Sequence, residues 1–75
     1  MPYNGFANYD TWNILTNIDC NETTQREFHK LNKNSSNFKG EVIDLYERAV
    51  KSFNQRPDVD YNQVNWDEVI NYVNY

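Results

Sequence analysis

Apolar positions along this chain fall at the three- and four-residue spacing of helices, separated by polar runs. Asn8-Tyr9-Asp10-Thr11-Trp12-Asn13-Ile14-Leu15-Thr16-Asn17-Ile18 opens on a good N-cap residue and puts an acid in the first turn, with Trp12, Leu15 and Ile18 along one face. A first helix is predicted over 9–18. Asp19-Cys20-Asn21 interrupts it, and Asn21 can cap a second helix over 22–32 that carries Phe28 and Leu31. The polar stretch Asn32 to Asn37 then reads as a loop. From Phe38, the positions Val42, Leu45, Ala49 and Phe53 repeat at helical spacing, and Ile43, Tyr46 and Val50 widen the stripe. This is the expected central helix, 38–54. Gly40 weakens its first turn by about 1 kcal/mol relative to alanine, so its start can lie on either side of that residue. Pro57 bars continuation, since it disfavours helical geometry at Arg56 and donates no hydrogen bond. After the polar segment 58–63, Asn65 is a cap with an acid, Glu68, three residues on, and Val64 and Val69 stand where a hydrophobic staple needs them. A last helix is predicted over 66–73, with Trp66, Val69, Ile70 and Val73 on its apolar face. No alternating pattern, repeat or linker competes. The expectation is an all-α fold, a single small domain over 1–75 of about four helices around an aromatic-rich core.

Composition explains how so short a chain holds a core. Cys20 is the only cysteine among 75 residues, so no internal disulfide can form, and a lone thiol suits a reducing compartment. The twelve aromatics, 16% of the residues, must supply the buried area. Met1-Pro2-Tyr3-Asn4-Gly5 has no basic and apolar leader pattern, and no apolar run approaches the roughly 20 residues that span a bilayer. Neither export nor membrane insertion is predicted. Thirteen asparagines are scattered along the chain without forming a tract, which fits AT-rich coding better than amide chemistry.

Charge is distributed unevenly. The net charge of −4 divides into −2 over residues 1–20, +2 over 21–56 and −4 over 57–75, where Asp58, Asp60, Asp67 and Glu68 stand without a base. The bases of the middle segment, among them Arg26, Lys30, Lys33, Lys39 and Lys51, alternate with acids and make no stripe dense enough for a phosphate backbone. Nucleic acid is therefore not the expected partner, and the acidic third is a candidate for a basic partner or, at lower weight, for imitation of phosphates.

Candidate chemistry is sparse. His29 and Cys20 are nine residues apart and permit a cysteine-histidine pair on count alone, but a catalytic site needs several convergent groups. A structural zinc site wants four nitrogen or sulfur ligands. A calcium loop starting at Asp58 would need glycine at its sixth position, where Gln63 stands. No catalytic, cofactor-binding or metal-binding residues are assigned, no cofactor is expected, and a non-enzymatic role follows. Trp12 and Trp66 lie on predicted apolar stripes and read as core. Tyr61, Tyr72 and Tyr75 lie in a loop, off the stripe or at the terminus, beside acids, and are candidates for an interface. The candidate partner-binding set is Asp58, Asp60, Tyr61, Asp67, Tyr72 and Tyr75.

Tyr3-Asn4-Gly5-Phe6-Ala7-Asn8-Tyr9-Asp10-Thr11-Trp12-Asn13 resembles the opening of a family of small uncharacterised proteins encoded by bacteriophages, including cyanophages, and by some mobile elements. The usual form there is Tyr-Asn-Gly-Trp-x-Asn-Tyr-Glu-Thr-Trp-Asn. Several members end on Val-Asn-Trp-x-Glu-Ile, similar here to Val64-Asn65-Trp66-Asp67-Glu68-Val69. The two motifs cover about a quarter of the chain, which departs from the pattern at Phe6 and Asp10. The resemblance implies a phage accessory protein in the host cell cytoplasm, and no activity comes with it. Physically the opening motif reads as architecture: a turn at Gly5, a cap at Asn8 and Trp12 anchored in the core. The leading expectation is a module that binds and modulates or inhibits a host protein. The alternatives are a nucleic-acid-directed role, by direct binding or acidic mimicry, and a structural component of the virion or a homo-oligomer joined through Tyr72 and Tyr75.

Overall fold

A computed structural model of the chain describes residues 5–73. It contains four helices, α1 (Tyr9–Asp19), α2 (Glu22–His29), α3 (Phe38–Ser52) and α4 (Trp66–Val73), and the described residues form no strand. The all-α expectation holds. The helices surround one core whose fully covered side chains include Ile14, Leu15, Ile18, Phe28, Val42, Leu45, Tyr46, Val50 and Val69. α1, α2 and α3 pack against one another, and α4 packs on α1.

Asparagines start the helices. The Asn8 side chain accepts from Thr11 N at 2.9 Å, and that of Asn21 accepts from Thr23 N and Thr24 N. Each bond satisfies one of the N–H groups a helix start leaves open. α3 begins before Gly40. A Cβ at that position would lie 2.8 Å from Oδ1 of Asn37, whose side chain makes no cap bond.

Two helices end earlier than their apolar periods suggest. α2 stops at His29, not residue 32, because Lys30 N and Leu31 N bond three residues back, to Glu27 O and Phe28 O at 3.1 Å each, tightening the last turn. Leu31 still packs against the core from outside the helix. α3 stops at Ser52, not residue 54. Asn54 adopts φ 57°, Asn54 N bonds to Lys51 O, and Gln55 N bonds to Val50 O at 2.9 Å. These paired bonds around one left-handed residue are a Schellman ending, with asparagine in the place more often held by glycine.

The stripe of α1 is rotated from the one predicted. Thr11, Ile14, Leu15 and Ile18 are buried, whereas Trp12 is only half-buried, its ring 5.7 Å from that of Tyr9. The anchoring role expected of Trp12 therefore falls to Ile14 and Leu15. Trp66 is also half-buried, but it packs against the core and donates from Nε1 to Tyr61 O at 3.3 Å.

The segment between α3 and α4 runs back along α1 as a strap. Its register is set by polar contacts: Asn13 Nδ2 donates to Asp58 O, and Asp60 N to Asp10 Oδ1. Tyr46, buried in α3, accepts from Asp58 N at 3.0 Å. Asp58 thus has both backbone polar groups satisfied by side chains from two helices, as a chain crossing a helical surface without a ladder requires. Among the described residues no buried side-chain nitrogen or oxygen lacks a partner.

Candidate functional site

The strap brings the amino end of α1 against the start of α4, which gathers the acids of two distant segments. Asp10 and Asp60 are linked at 3.2 Å through the backbone of residue 60. Glu68 Oε1 accepts from Ala7 N at 2.9 Å, and Asn8 Nδ2 donates to Gln63 O. Asp67 lies beside Glu68 in the first turn of α4, exposed. The carboxylates of Asp10, Asp67 and Glu68 occupy helix starts, where the dipole favours negative charge, while Asp60 lies in the strap, its Oδ1 accepting from Asn62 N in a local turn. Hydrogen bonds thereby fix Asp10, Asp60 and Glu68. Lys39 of α3 approaches this end, its Nζ 5.5 Å from the centre of the Trp66 ring.

The predicted capping box at Asn65 is rearranged. Asn65 Oδ1 accepts from Glu68 N at 3.2 Å, as expected of a cap. Glu68, however, does not return to Asn65 N. That N–H donates to the buried Thr11 Oγ1 at 2.9 Å, and Glu68 bonds the amino-end segment instead. Two bonds that could have stayed local each join the segments around α1 and α4.

Of the predicted partner-binding residues, Asp58, Asp60 and Asp67 are exposed, and Asp60 and Asp67 belong to the acidic end. Tyr61 and Tyr72, the candidate interface tyrosines, are both half-buried at the edge of the core. Tyr61 is half-buried, packs its ring against the edge of Tyr46 at 6.4 Å and donates to Glu47 Oε2 at 3.2 Å. Burial, followed by the charge and hydrogen bond of Glu47, pushes its phenol up to about 12. Burial also raises the Tyr46 phenol, against the opposing hydrogen bond from Asp58 N–H. Tyr72 is half-buried among Phe6, Phe28 and His29, with ring centres 6.0 to 6.4 Å away, and donates to Asp19 Oδ2 at 2.6 Å. Both phenols need partners because their rings are partly withdrawn from water. Tyr75 lies outside the described residues.

Asp10 and Glu68 join the acidic end without having been among the candidates. Each was legible as a first-turn acid, but their convergence depends on contacts 50 and 61 residues apart in sequence. Cys20 is exposed at the end of α1. The His29 ring stacks on Tyr72 and meets Phe28 edge-on, with Nδ1 3.4 Å from Val73 O. No hydrogen bond joins the cysteine to the histidine. Among the described residues there is no cavity, no group of three or more potential metal ligands, and no helix long and apolar enough to cross a membrane. No family model, no curated protein and no solved structure matches the chain.

Proposed function

We propose that the chain is a bacteriophage accessory protein that binds a host protein in the host cytoplasm and modulates or inhibits it. The observation that carries this reading is the acidic end, where Asp10, Asp60 and Glu68 are held by hydrogen bonds between the amino-end segment, the strap and the start of α4, with Asp67 exposed beside Glu68. Charges fixed in this way lose little freedom on association, and they steer a basic surface of a partner into register. The phage setting rests on the resemblance of the opening motif and of the Val64 to Val69 segment.

The test is affinity capture of a tagged copy during infection, with Asp60 and Asp67 both changed to lysine. A specific host protein should be recovered by the native chain, lost with the Asp60→Lys, Asp67→Lys variant and retained by Lys33→Glu. Equal recovery by the native chain and the acidic-end variant would refute the reading.

The same fixed carboxylates favour a second reading, imitation of a phosphate array that displaces DNA from a host DNA-binding protein. Competition between the captured host protein and labelled duplex DNA distinguishes the two. Direct nucleic-acid binding has less support. Of the bases considered for it, Arg26 is engaged by Glu22 and Lys39 lies over Trp66.

A further inference from the structure

The start of α4 carries a complete capping pair of which only half is used. Asn65 Oδ1 accepts from Glu68 N at 3.2 Å, which is one arm of a capping box. The other arm would run from Asn65 N to the Glu68 carboxylate. Instead Thr11 Oγ1, buried in α1, takes Asn65 N at 2.9 Å, and Glu68 Oε1 accepts from Ala7 N, also at 2.9 Å. The arm already formed sets Asn65 and Glu68 at the spacing the box needs, so closing the second arm calls only for a turn of the Glu68 side chain.

The two bonds that displace this arm lie in different surroundings. Thr11 has no exposed surface, and its bond to Asn65 N is partly buried. If Thr11 lets go, that N–H at a helix start needs another acceptor. Glu68, three residues on, is placed to supply it. The bond Glu68 gives up, from Ala7 N, is exposed, and water can stand in for the carboxylate there. Asn8 continues to cap α1 through Thr11 N in either arrangement.

We propose that Glu68 is a two-position latch on the amino end of the chain. While Thr11 Oγ1 holds Asn65 N, Glu68 reaches out and ties Ala7 to α4. When α1 shifts and Thr11 lets go, Glu68 turns back to Asn65 N, so that α4 stays capped and Ala7 is released. A buried hydroxyl thereby sets the hold on an exposed backbone N–H with which it makes no contact. The device does not depend on a host partner for the acidic end.

The test is amide hydrogen exchange of the full chain, read by NMR at Ala7 and Asn65, with the amides of Leu45 to Val50 in α3 correcting for any loss of global stability. In the native chain both amides should be protected. Glu68→Ala should speed exchange at Ala7 by roughly tenfold, the loss of one hydrogen bond, and leave Asn65 protected by Thr11. Thr11→Val should speed Ala7 by a similar factor, although it changes neither partner of that bond, while Asn65 stays within roughly threefold of native because Glu68 takes its N–H. Joining the two changes should release Asn65 as well, a non-additive result that only a shared acceptor produces. Thr11→Ala removes the same acceptor and is the second variant should the valine chain not fold. Fast exchange at Asn65 with Ala7 still protected in the Thr11 variants, protection of Asn65 that survives the double change, or an Ala7 amide indifferent to Glu68→Ala would each overturn the inference.

Discussion

Thr11 shows how much one buried hydroxyl can decide. It has no exposed surface, and its Oγ1 takes the N–H of Asn65, 54 residues away. Thr11→Val keeps the shape and removes the acceptor, leaving an N–H at the start of α4 without its partner. The expected cost is about 1–3 kcal/mol, read as a lower denaturant midpoint with the m-value unchanged. The same residue explains why the predicted stripe of α1 was rotated. Hydropathy ranks Trp12 far above Thr11, but it does not register that a threonine hydroxyl will be required inside. Asn8, Asn21 and Asn65 were legible as caps because capping is decided within three residues. The placement of Tyr61 and Tyr72 was not, since their partners Glu47 and Asp19 are 14 and 53 residues away.

At the scale of the element, the order and approximate extents of the four helices were readable from caps and periods, and the departures lie at carboxyl ends. Apolar residues continue past the end of α2 and at the cap of α3, so periodicity alone extends both helices. What ends them is local hydrogen-bond geometry that carries no hydropathy signal. Gly40 provides a test inside an element. Only the mobile end of the Asn37 side chain stands in the way of a Cβ there, and that side chain caps nothing. Gly40→Ala is therefore expected to stabilise the protein by up to about 1 kcal/mol once Asn37 turns aside. Thermal unfolding should show a higher midpoint, and a fall would mean that Asn37 cannot give way.

For the whole molecule, the strap is the device that turns a three-helix cluster with a fourth helix attached into one unit. Two tyrosines attach it to α3, Tyr46 through Asp58 and Tyr61 through Glu47, and both phenols titrate above their ordinary value of 10. Between pH 10 and about 12 the unfolded chain releases phenolic protons that the native state keeps, so the unfolded state binds fewer protons there. These groups contribute their stability fully below pH 10, and it is lost as pH rises toward 12. Melting temperature should be flat through neutral pH as far as these groups are concerned and fall across that alkaline window. Tyrosinate absorbance should rise with unfolding, and Tyr61→Phe should reduce the slope. The acidic end belongs to this scale too. Its charges were visible in the composition, but their assembly required the strap's path, which hydropathy does not encode.

The exchange of partners at the start of α4 also bears on the order in which the protein opens. Asn65 N bonds Thr11 and Glu68 bonds Ala7, so α4 draws two of its hydrogen bonds from the far end of the chain. α1, α2 and α3 can each close on a sequence neighbour through short connections, whereas α4 must wait until the strap has run back along the first half of α1. Loop closure of that kind comes late in folding and early in partial unfolding. Native-state hydrogen exchange should therefore find the amides of Val69 to Val73 opening at lower free energy than those of Leu45 to Val50. Because the acidic end needs α4 in place, a partner that binds there would slow exchange across both ends of the chain at once.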